Sequence, residues 1–496
     1  MADRVKRRKD PRSINLKSIS IPHPLGVKPE GNSLLNPDIE VRSQSLGYLS
    51  KLDDETIMTL LSYLDIEGLK NFMYVSKVTY AFTSEEEIWR RIYTENFHGQ
   101  EDFNWKGSWK KSILGHNNID IKVDINSDVI YRPFQVRSID YTKLFGNLVE
   151  DELNNKHSNN NPPNRIPRFK SHEVSTLPKT PFILTDGEWP QWKLEDLVEK
   201  YGSVTFTQES VKWDLKTFSN YLKNNIDESP LYLFDCRSEA MKSIRNDYEV
   251  PELFKKDYFK LLGDSRPDHS WIIIGSKRSG STFHKDPNNT SAWNIALQGR
   301  KFWVMIPPNI TPPGVMVDDE ESEVTSPLSV GEWILSGFYN DALKIPEVLM
   351  GITFPGECMY VPSNWWHLVI NLDDSIAITE NFVPDCRLHN VLSFFKDKPN
   401  QISGFKLSDI NDLIDKLSYK CPQVSDFQQK LKESKLDLFA DCGELESLPD
   451  IPIFDIFKQL LIDNGYEKEL NSSMDEINKT WNNLTSDSTT FKFNFE

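Results

Sequence analysis

The chain has 496 residues, too many for one hydrophobic core at the usual domain size, so two or three folded units are expected. Acidic residues outnumber basic ones, 74 to 57, for a formal net charge of -17, which favours solubility and sets aside nucleic acid or an anionic membrane as the main partner. The five cysteines, Cys236, Cys358, Cys386, Cys421 and Cys442, are widely spaced and form no CxxC; neither a disulfide framework nor a structural zinc cluster is indicated, and a reducing compartment is expected.

From the N-terminus, "MADRVKRRKDPRS" has no apolar run after its charges, and no later stretch nears the roughly 20 apolar residues of a membrane helix, so neither ordinary secretion nor membrane insertion is expected. The sequons at Asn288 and Asn483 then lose their glycosylation meaning. The run Lys6-Arg7-Arg8-Lys9 reads equally as a nuclear import signal or as a solvated tail, and the expected location is the nucleus, the cytoplasm or both. Residues 1–44 are polar and proline-dotted and are expected to be a disordered tail. Over 45–115 the period turns helical: Ile57, Leu60, Leu61 and Leu64 fall at i, i+3, i+4 and i+7, and Leu69, Phe72 and Met73 open a second stripe. Residues 116–178 read as linker and decoration, with the Asn-rich stretch 151–170 as an exposed connection.

From 179 to 385, "PLYLFD", "SWIIIGS", "SAWNIALQGRKFWVMIP", "ECMYVP", "HLVINL" and "SIAITENFV" are short, β-branched or aromatic, and divided by turn signals. That is the rhythm of a β-sandwich or barrel. An acidic insertion, Asp318 to Glu323, interrupts them and reads either as a solvated loop or as an attractor of a basic peptide. Residues 386–496 return to helical spacing, with stripes through Ile410, Leu413, Ile414 and Leu417 and through Ile453, Ile456, Phe457, Leu460 and Leu461. This C-terminal helical region is expected to cover the barrel or to make a homodimer contact.

The chemistry concentrates in "STFHKDPNNTSAWNIALQGRKFW", residues 281–303. Side chains two apart on a strand share a face, so a strand through His284 and Asp286 would aim both at one point. An HxD pair alone is common by chance; with a distant His it makes the facial triad that holds Fe(II) with positions left open. His367, at a strand start in "YVPSNWWHLVINL", is the best distant candidate. Gln298-Gly299-Arg300 reads as a reversal, so Asn294 and Lys301 would both project into the barrel beside the metal. A buried ammonium is costly unless it meets an anion, and a dicarboxylate cosubstrate would supply one. Trp293, Trp303, Trp365 and Trp366 are mostly accounted for as core packing.

Through these segments residues 180–385 resemble the Jumonji-C (JmjC) branch of the cupin-type Fe(II)/2-oxoglutarate oxygenases, and within it the nuclear lysyl-hydroxylase and arginine-demethylase-like subgroup. The resemblance implies an α+β fold: a double-stranded β-helix, the cupin-like jelly roll, with flanking helices. It implies His284, Asp286 and His367 as metal ligands and catalytic centre, and Lys301 and Thr379 on the distal carboxylate of 2-oxoglutarate. Asn294 and Tyr232 would line that pocket, with Asn371 near its metal end. Ser281 stands where relatives carry Thr, keeping a hydroxyl and losing a methyl. The implied cofactors are Fe(II), 2-oxoglutarate and O2, and the implied reaction is oxidative decarboxylation coupled to hydroxylation of a protein side chain, lysine or arginine, or demethylation by that route.

The segment "LSKLDDETIMTLLSYLDIEGLKNFMYVSKVTYAFTSEEEIWRRIY" resembles an F-box, with Leu52, Ile57, Leu61, Leu64, Leu69, Val75 and Trp89 near the expected apolar positions and Asp53 where Pro is usual. This resemblance implies docking on a Skp-type adaptor of a cullin ubiquitin ligase. The competing reading is a helical hairpin that packs on the oxygenase domain. The alternative function is accordingly a ubiquitin-ligase substrate receptor whose barrel serves for binding.

Overall fold

Eight strands between residues 270 and 382 carry most of the β-branched and aromatic runs: β1 (Ser270–Gly275), β2 (Gly280–His284), β3 (Ser291–Gln298), β4 (Lys301–Ile306), β5 (Leu349–Thr353), β6 (Cys358–Val361), β7 (Trp366–Asn371) and β8 (Ser375–Phe382). The computed structural model describes residues 20–34, 41–97, 103–115, 121–155, 164–434 and 450–486. One antiparallel sheet has the order β5-β4-β7-β2. A larger one has β6-β3-β8-β1 at its centre, extended beyond β6 by Phe182–Leu184 and Arg168–Phe169 and beyond β1 by Tyr232–Asp235, Thr205–Gln208 and Val211–Asp214. The two sheets face each other: Trp303, Met305 and Val369 of the smaller pack with Ala292, Met359 and Val361 of the larger. The class is α+β, as expected.

β4 and β7 are buried along their whole length, which explains why they read as continuous apolar runs and not as alternation. Their outward residues Phe302, Val304, Ile306, Trp366 and Leu368 pack under Phe145, Leu148 and Val149 and under Trp333 of the helix Val330–Leu335. The expected linker over 116–178 is therefore largely a wall of the barrel: helices Asp128–Arg137 and Gly146–Asn155 precede Arg165, which bridges to Met350 of β5. Of the stretch 151–170, residues 156–163 lie outside the described residues. The expected tail is also corrected in part, because Leu25 and Val27 are buried and Ser20 and Lys28 bridge to Ile139 and Asn126. Lys6 to Lys9 lie outside the described residues.

The N-terminal stripes form α1 (Asp54–Ser62), α2 (Ile66–Met73), α3 (Lys77–Phe82) and α4 (Glu86–Asn96). Asp53 and Asp65 accept from Thr56 N and Gly68 N, and Ser76 with Thr79 makes a capping box, so these three polar residues start the first three helices. This module shares its core with the barrel's flank. Tyr93 of α4 and Trp109 ring-pack with Trp213, Trp213 Nε1 donates to the Tyr93 hydroxyl at 2.7 Å, and Trp109 Nε1 donates to the buried Asp227 carboxylate at 3.0 Å. At the other end α5 (Leu388–Asp397), α6 (Leu407–Leu417), α7 (Pro422–Ser434), α8 (Ile453–Asp463) and α9 (Glu467–Ser486) bury Ile410, Ile414, Ile456, Phe457 and Leu461 against Tyr258, Phe259 and Val383. The C-terminal stripes thus cover one flank of the barrel.

Candidate active site

His284 closes β2 and His367 is the second residue of β7; the two stand opposite each other, with ring centroids 4.0 Å apart. Along β7, His367, Val369 and Asn371 share a face with Met305, Trp303 and Lys301 across on β4, and that face is the barrel interior. On β2 the count differs. His284 opposes His367 but Ser281 opposes Val369, so β2 holds one extra residue. This bulge turns both His284 and Ser281 inward, where an unbroken strand would send them to opposite faces.

The sequence reading ran a strand through Asp286, but β2 ends at His284. Asp286 is extended (φ -65°, ψ 145°) at the head of the one-turn segment Pro287–Asn289, as a residue before proline is expected to be. It arrives at the same point by turn geometry, not by alternation. Ligand atoms of His284, Asp286 and His367 all lie within 4.8 Å of one another.

The imidazoles are oriented by the backbone. His284 Nδ1 lies 2.8 Å from Thr282 O and His367 Nδ1 lies 3.1 Å from Trp365 O. Each neutral ring donates its proton there, which leaves the Nε2 lone pair free. Burial, then the neighbouring His284, holds His367 well below the usual imidazole range. Burial raises the Asp286 carboxyl, against the opposing pull of His284 and the Asn381 amide, and its Oδ2 is shielded with no hydrogen-bond partner among the described residues.

Deeper in the barrel, β3 ends at Gln298 and β4 begins at Lys301, with Gly299 at φ 75° making the reversal expected from the sequence. Lys301 is 1% exposed, and its Nζ donates to the Tyr232 hydroxyl at 3.0 Å and to Asn371 Oδ1 at 2.9 Å. Asn371 Nδ2 in turn donates to Ser279 Oγ at 2.9 Å, which sets the amide with its oxygen toward the ammonium. Burial pushes Lys301 down to about 7. Thr379 and Asn294 are direct partners across β8 and β3; the threonine hydroxyl donates to Trp293 O at 2.8 Å, and Asn294 Oδ1 is buried without a partner among the described residues.

The barrel therefore gathers two groups, three ligand-type side chains near its mouth and Lys301 with Tyr232 and Asn371 further in. The four tryptophans are all buried, Trp293 and Trp366 in the outer layers and Trp303 and Trp365 in the inner core. Sequence reasoning missed three residues. Asn381 pulls the Asp286 carboxyl down against burial and donates to Thr290 Oγ1 at 2.8 Å, Ser279 orients Asn371, and the Trp303 ring stacks 6.5 Å from that of His367. Two of these carried a signal: Asn381 lies two residues from Thr379 and Trp303 two from Lys301, so strand alternation puts each on its neighbour's face. A cleft of about 770 Å3 opens over His284 and Asp286, walled by Trp366, Phe394 and the acidic insertion.

A family model described as a cupin-like domain matches residues 153–387. The chain is similar to the arginine-specific demethylase JMJ22 of Arabidopsis thaliana, 35% identical over 449 residues, which cover 83% of this chain and 84% of that protein. It is 36% identical over 236 residues to the bifunctional arginine demethylase and lysyl-hydroxylase psr-1 of Caenorhabditis elegans, 43% of this chain and 58% of that one. To the 2-oxoglutarate and iron-dependent oxygenase JMJD4 of Mus musculus it is 27% identical over 218 residues, 40% of this chain and 48% of that one.

Proposed function

The chain belongs to the cupin-like JmjC family of iron- and 2-oxoglutarate-dependent oxygenases, and we propose that it hydroxylates a protein side chain, lysine or arginine, or demethylates one by the same chemistry. The observation that carries this reading is the pairing of a convergent His284, Asp286 and His367 with a buried, anion-seeking Lys301 in one barrel.

The residues fit the groups assigned to them. Two imidazoles with Nε2 free and a carboxylate with an unpartnered oxygen make a three-donor set on one side of a point, which suits Fe(II) with positions open. Lys301 has no carboxylate within ion-pair distance among the described residues, as expected of a pocket for a diacid. Iron with 2-oxoglutarate and O2 supplies the oxidative decarboxylation that releases succinate and carbon dioxide and places one oxygen on a substrate C–H bond. The chain's own part is geometric and electrostatic. Thr282 O and Trp365 O hold the two rings, Asn381 steadies Asp286, and Lys301 neutralises the distal carboxylate while Tyr232 and Asn371 aim it. Thr379 and Asn294 flank the bound diacid, and Ser281, turned inward by the bulge, offers a further hydroxyl. Trp303, Met305, Met359 and Val369 keep the chamber apolar and dry. Hydroxylation at an N-methyl carbon releases formaldehyde, whereas hydroxylation at a chain carbon leaves an alcohol; substrate placement decides between them.

Protein supplied with Fe(II), 2-oxoglutarate and air is expected to form succinate, and His284→Ala to form at least about a hundredfold less. Indistinguishable succinate traces from the two would remove the oxygenase reading.

A second reading concerns partners. On the N-terminal module Tyr63, Tyr74 and Val75 stand 82%, 80% and 67% exposed, which supports docking on a Skp-type adaptor of a cullin ligase through the F-box-like helices. Co-purification with a recombinant Skp-type adaptor tests it, and the pair Tyr63→Asp and Val75→Asp is expected to abolish the association. Self-association through the C-terminal helices has less to support it, since their described stripes are buried within the chain. The basic run at Lys6 to Lys9 supports a nuclear as well as a cytoplasmic location, to be read from imaging with that run neutralised.

A further inference from the structure

We infer that Asn288 is a positioning residue for the metal site, and that through its bonds to the Ser403 backbone the C-terminal helical region holds Asp286 where His284 and His367 converge. This rests on the metal site of the oxygenase reading and gives the C-terminal region a part in it.

The three ligand-type residues are not held alike. His284 and His367 stand on paired strands of one sheet, whereas Asp286 lies past the end of β2, outside the ladder. What fixes Asp286 is the one-turn segment after it. Thr290 N and Oγ1 both donate to Pro287 O, which closes that turn on itself, and the Asp286 carboxylate makes no capping bond to it, so the acid stays free to ligate. Closing a turn does not say where it points. The direction is set from two sides: Asn381 of β8 donates to Thr290 Oγ1 on one, and Asn288 meets the C-terminal region on the other. Asn288 is 5% exposed and makes two bonds to a single residue, its Nδ2 donating to Ser403 O at 2.9 Å and its Oδ1 accepting from Ser403 N at 3.0 Å.

The residue type suits both demands of the position. A primary amide offers a donor and an acceptor side by side, as a peptide group does, and so docks on the Ser403 backbone as a neighbouring strand would. Asn288 also carries φ 56° and ψ 24°, and Asn289 after it φ 54°, two successive left-handed residues of which neither is glycine. Asn is one of the few side chains that accept this conformation, and such a turn persists only where its surroundings over-determine it. Ser403 supplies that constraint from a firm base, since Ile402 and Phe405 on either side of it pack on the core of the C-terminal helices. A second tie runs beside the first. Asn289 O accepts from Ser363 Oγ at 2.6 Å, Asn390 Nδ2 of α5 donates to the same Oγ at 3.1 Å, and Asn289 Nδ2 donates to Asn390 O at 3.4 Å. Ser363 belongs to the turn whose Trp365 O orients the His367 ring, so the C-terminal region joins the turn behind Asp286 to the turn before His367. A helical cover that only shielded the barrel would not need bonds to both.

The test uses the full chain with Co(II) in place of iron, since the visible absorption of Co(II) reports the donors around it, and it reads binding in place of turnover. Asn288→Gly keeps the left-handed backbone and removes both bonds to Ser403. It is expected to bind Co(II) at least about tenfold more weakly than the native chain and to shift the visible spectrum toward that of Asp286→Ala. Asn288→Asp keeps the acceptor for Ser403 N and loses the donor, and is expected to fall between the native chain and Asn288→Gly in both readouts. The control, Asn464→Gly, removes a side-chain bond to Leu460 O at the end of α8 and is expected to leave Co(II) affinity and spectrum native. Native affinity and spectrum in Asn288→Gly, or an equal loss in Asn464→Gly, would overturn the inference. Should Asn288→Gly fail to fold, Asn288→Asp decides alone, and native affinity and spectrum there would overturn it too. A native chain that takes up no Co(II) would instead end the metal site itself, and the oxygenase reading with it.

Discussion

Lys301 is the residue on which the pocket's electrostatics turn. With its value pushed down to about 7 by burial, against about 10.4 for a free lysine, the unfolded chain binds more protons than the folded one between those limits. Without a bound diacid, stability should accordingly rise with pH across that window, and Lys301→Met should flatten the rise; thermal melts from pH 7 to 9.5 check both. A bound dicarboxylate restores the charge, so 2-oxoglutarate binding at pH 8 should take up close to one proton, measurable by calorimetry in buffers of different ionisation enthalpy. Lys301→Met should weaken the diacid by about a hundredfold, in line with 2–3 kcal/mol for a charge-assisted hydrogen-bond donor lost from a buried site. The chemistry at this scale was legible in the sequence because it depends on residue type: a lysine in an apolar strand calls for an anion, and an HxD pair calls for a third ligand. Ser279 was not legible, since a Ser that orients a neighbour has no composition signal of its own, whereas Asn381 was marked only by sharing a strand face with Thr379.

At the scale of elements, the bulge in β2 falls between Ser281 and His284 and brings those two to one face, while Gly280 opens the strand in regular register with Ile370. A Cβ at Gly280 would lie 1.9 Å from the carbonyl oxygen of Val369, a backbone atom that cannot step aside. Gly280→Ala should therefore part β2 from β7, costing about 1–3 kcal/mol and lowering bound iron per chain; denaturant titration and metal analysis report the two effects. A variant that keeps full iron with unchanged stability would show that the β2 pairing does not hold the site. The short β-branched and aromatic runs, with the strand drawn through His284, located seven of the eight strands approximately and passed over β5; side-chain alternation cannot count an extra residue, which is why the sequence carried the strand on through Asp286 when it ends at His284. The helix starts were more legible. Asp53, Asp65 and Ser76 are capping residues at the heads of apolar stripes, and each begins a helix.

For the whole molecule, the division drawn from the sequence separates units that share a core. Tyr93 and Trp109 from the N-terminal part meet Trp213 and Tyr221 beside the barrel, and Asp227 accepts from both Trp109 Nε1 and the Tyr221 hydroxyl. Linker composition shows where a chain is polar but not which aromatic residues on its two sides will meet, so this joint had no local signature. Trp109 is fully buried, and Trp109→Ala should cost about 3–5 kcal/mol. Hydrogen exchange should then rise in α4 and around Asp227 together, while two independent units would confine the change to α4. The central claim is that three side chains hold iron while Lys301 anchors a diacid beside it. Its most direct test is an anaerobic calorimetric titration of 2-oxoglutarate into the native chain with and without one equivalent of Fe(II). The account predicts tight one-to-one binding with iron, lost in His367→Ala; equal affinity with and without the metal, or an unaltered isotherm in that variant, would contradict it.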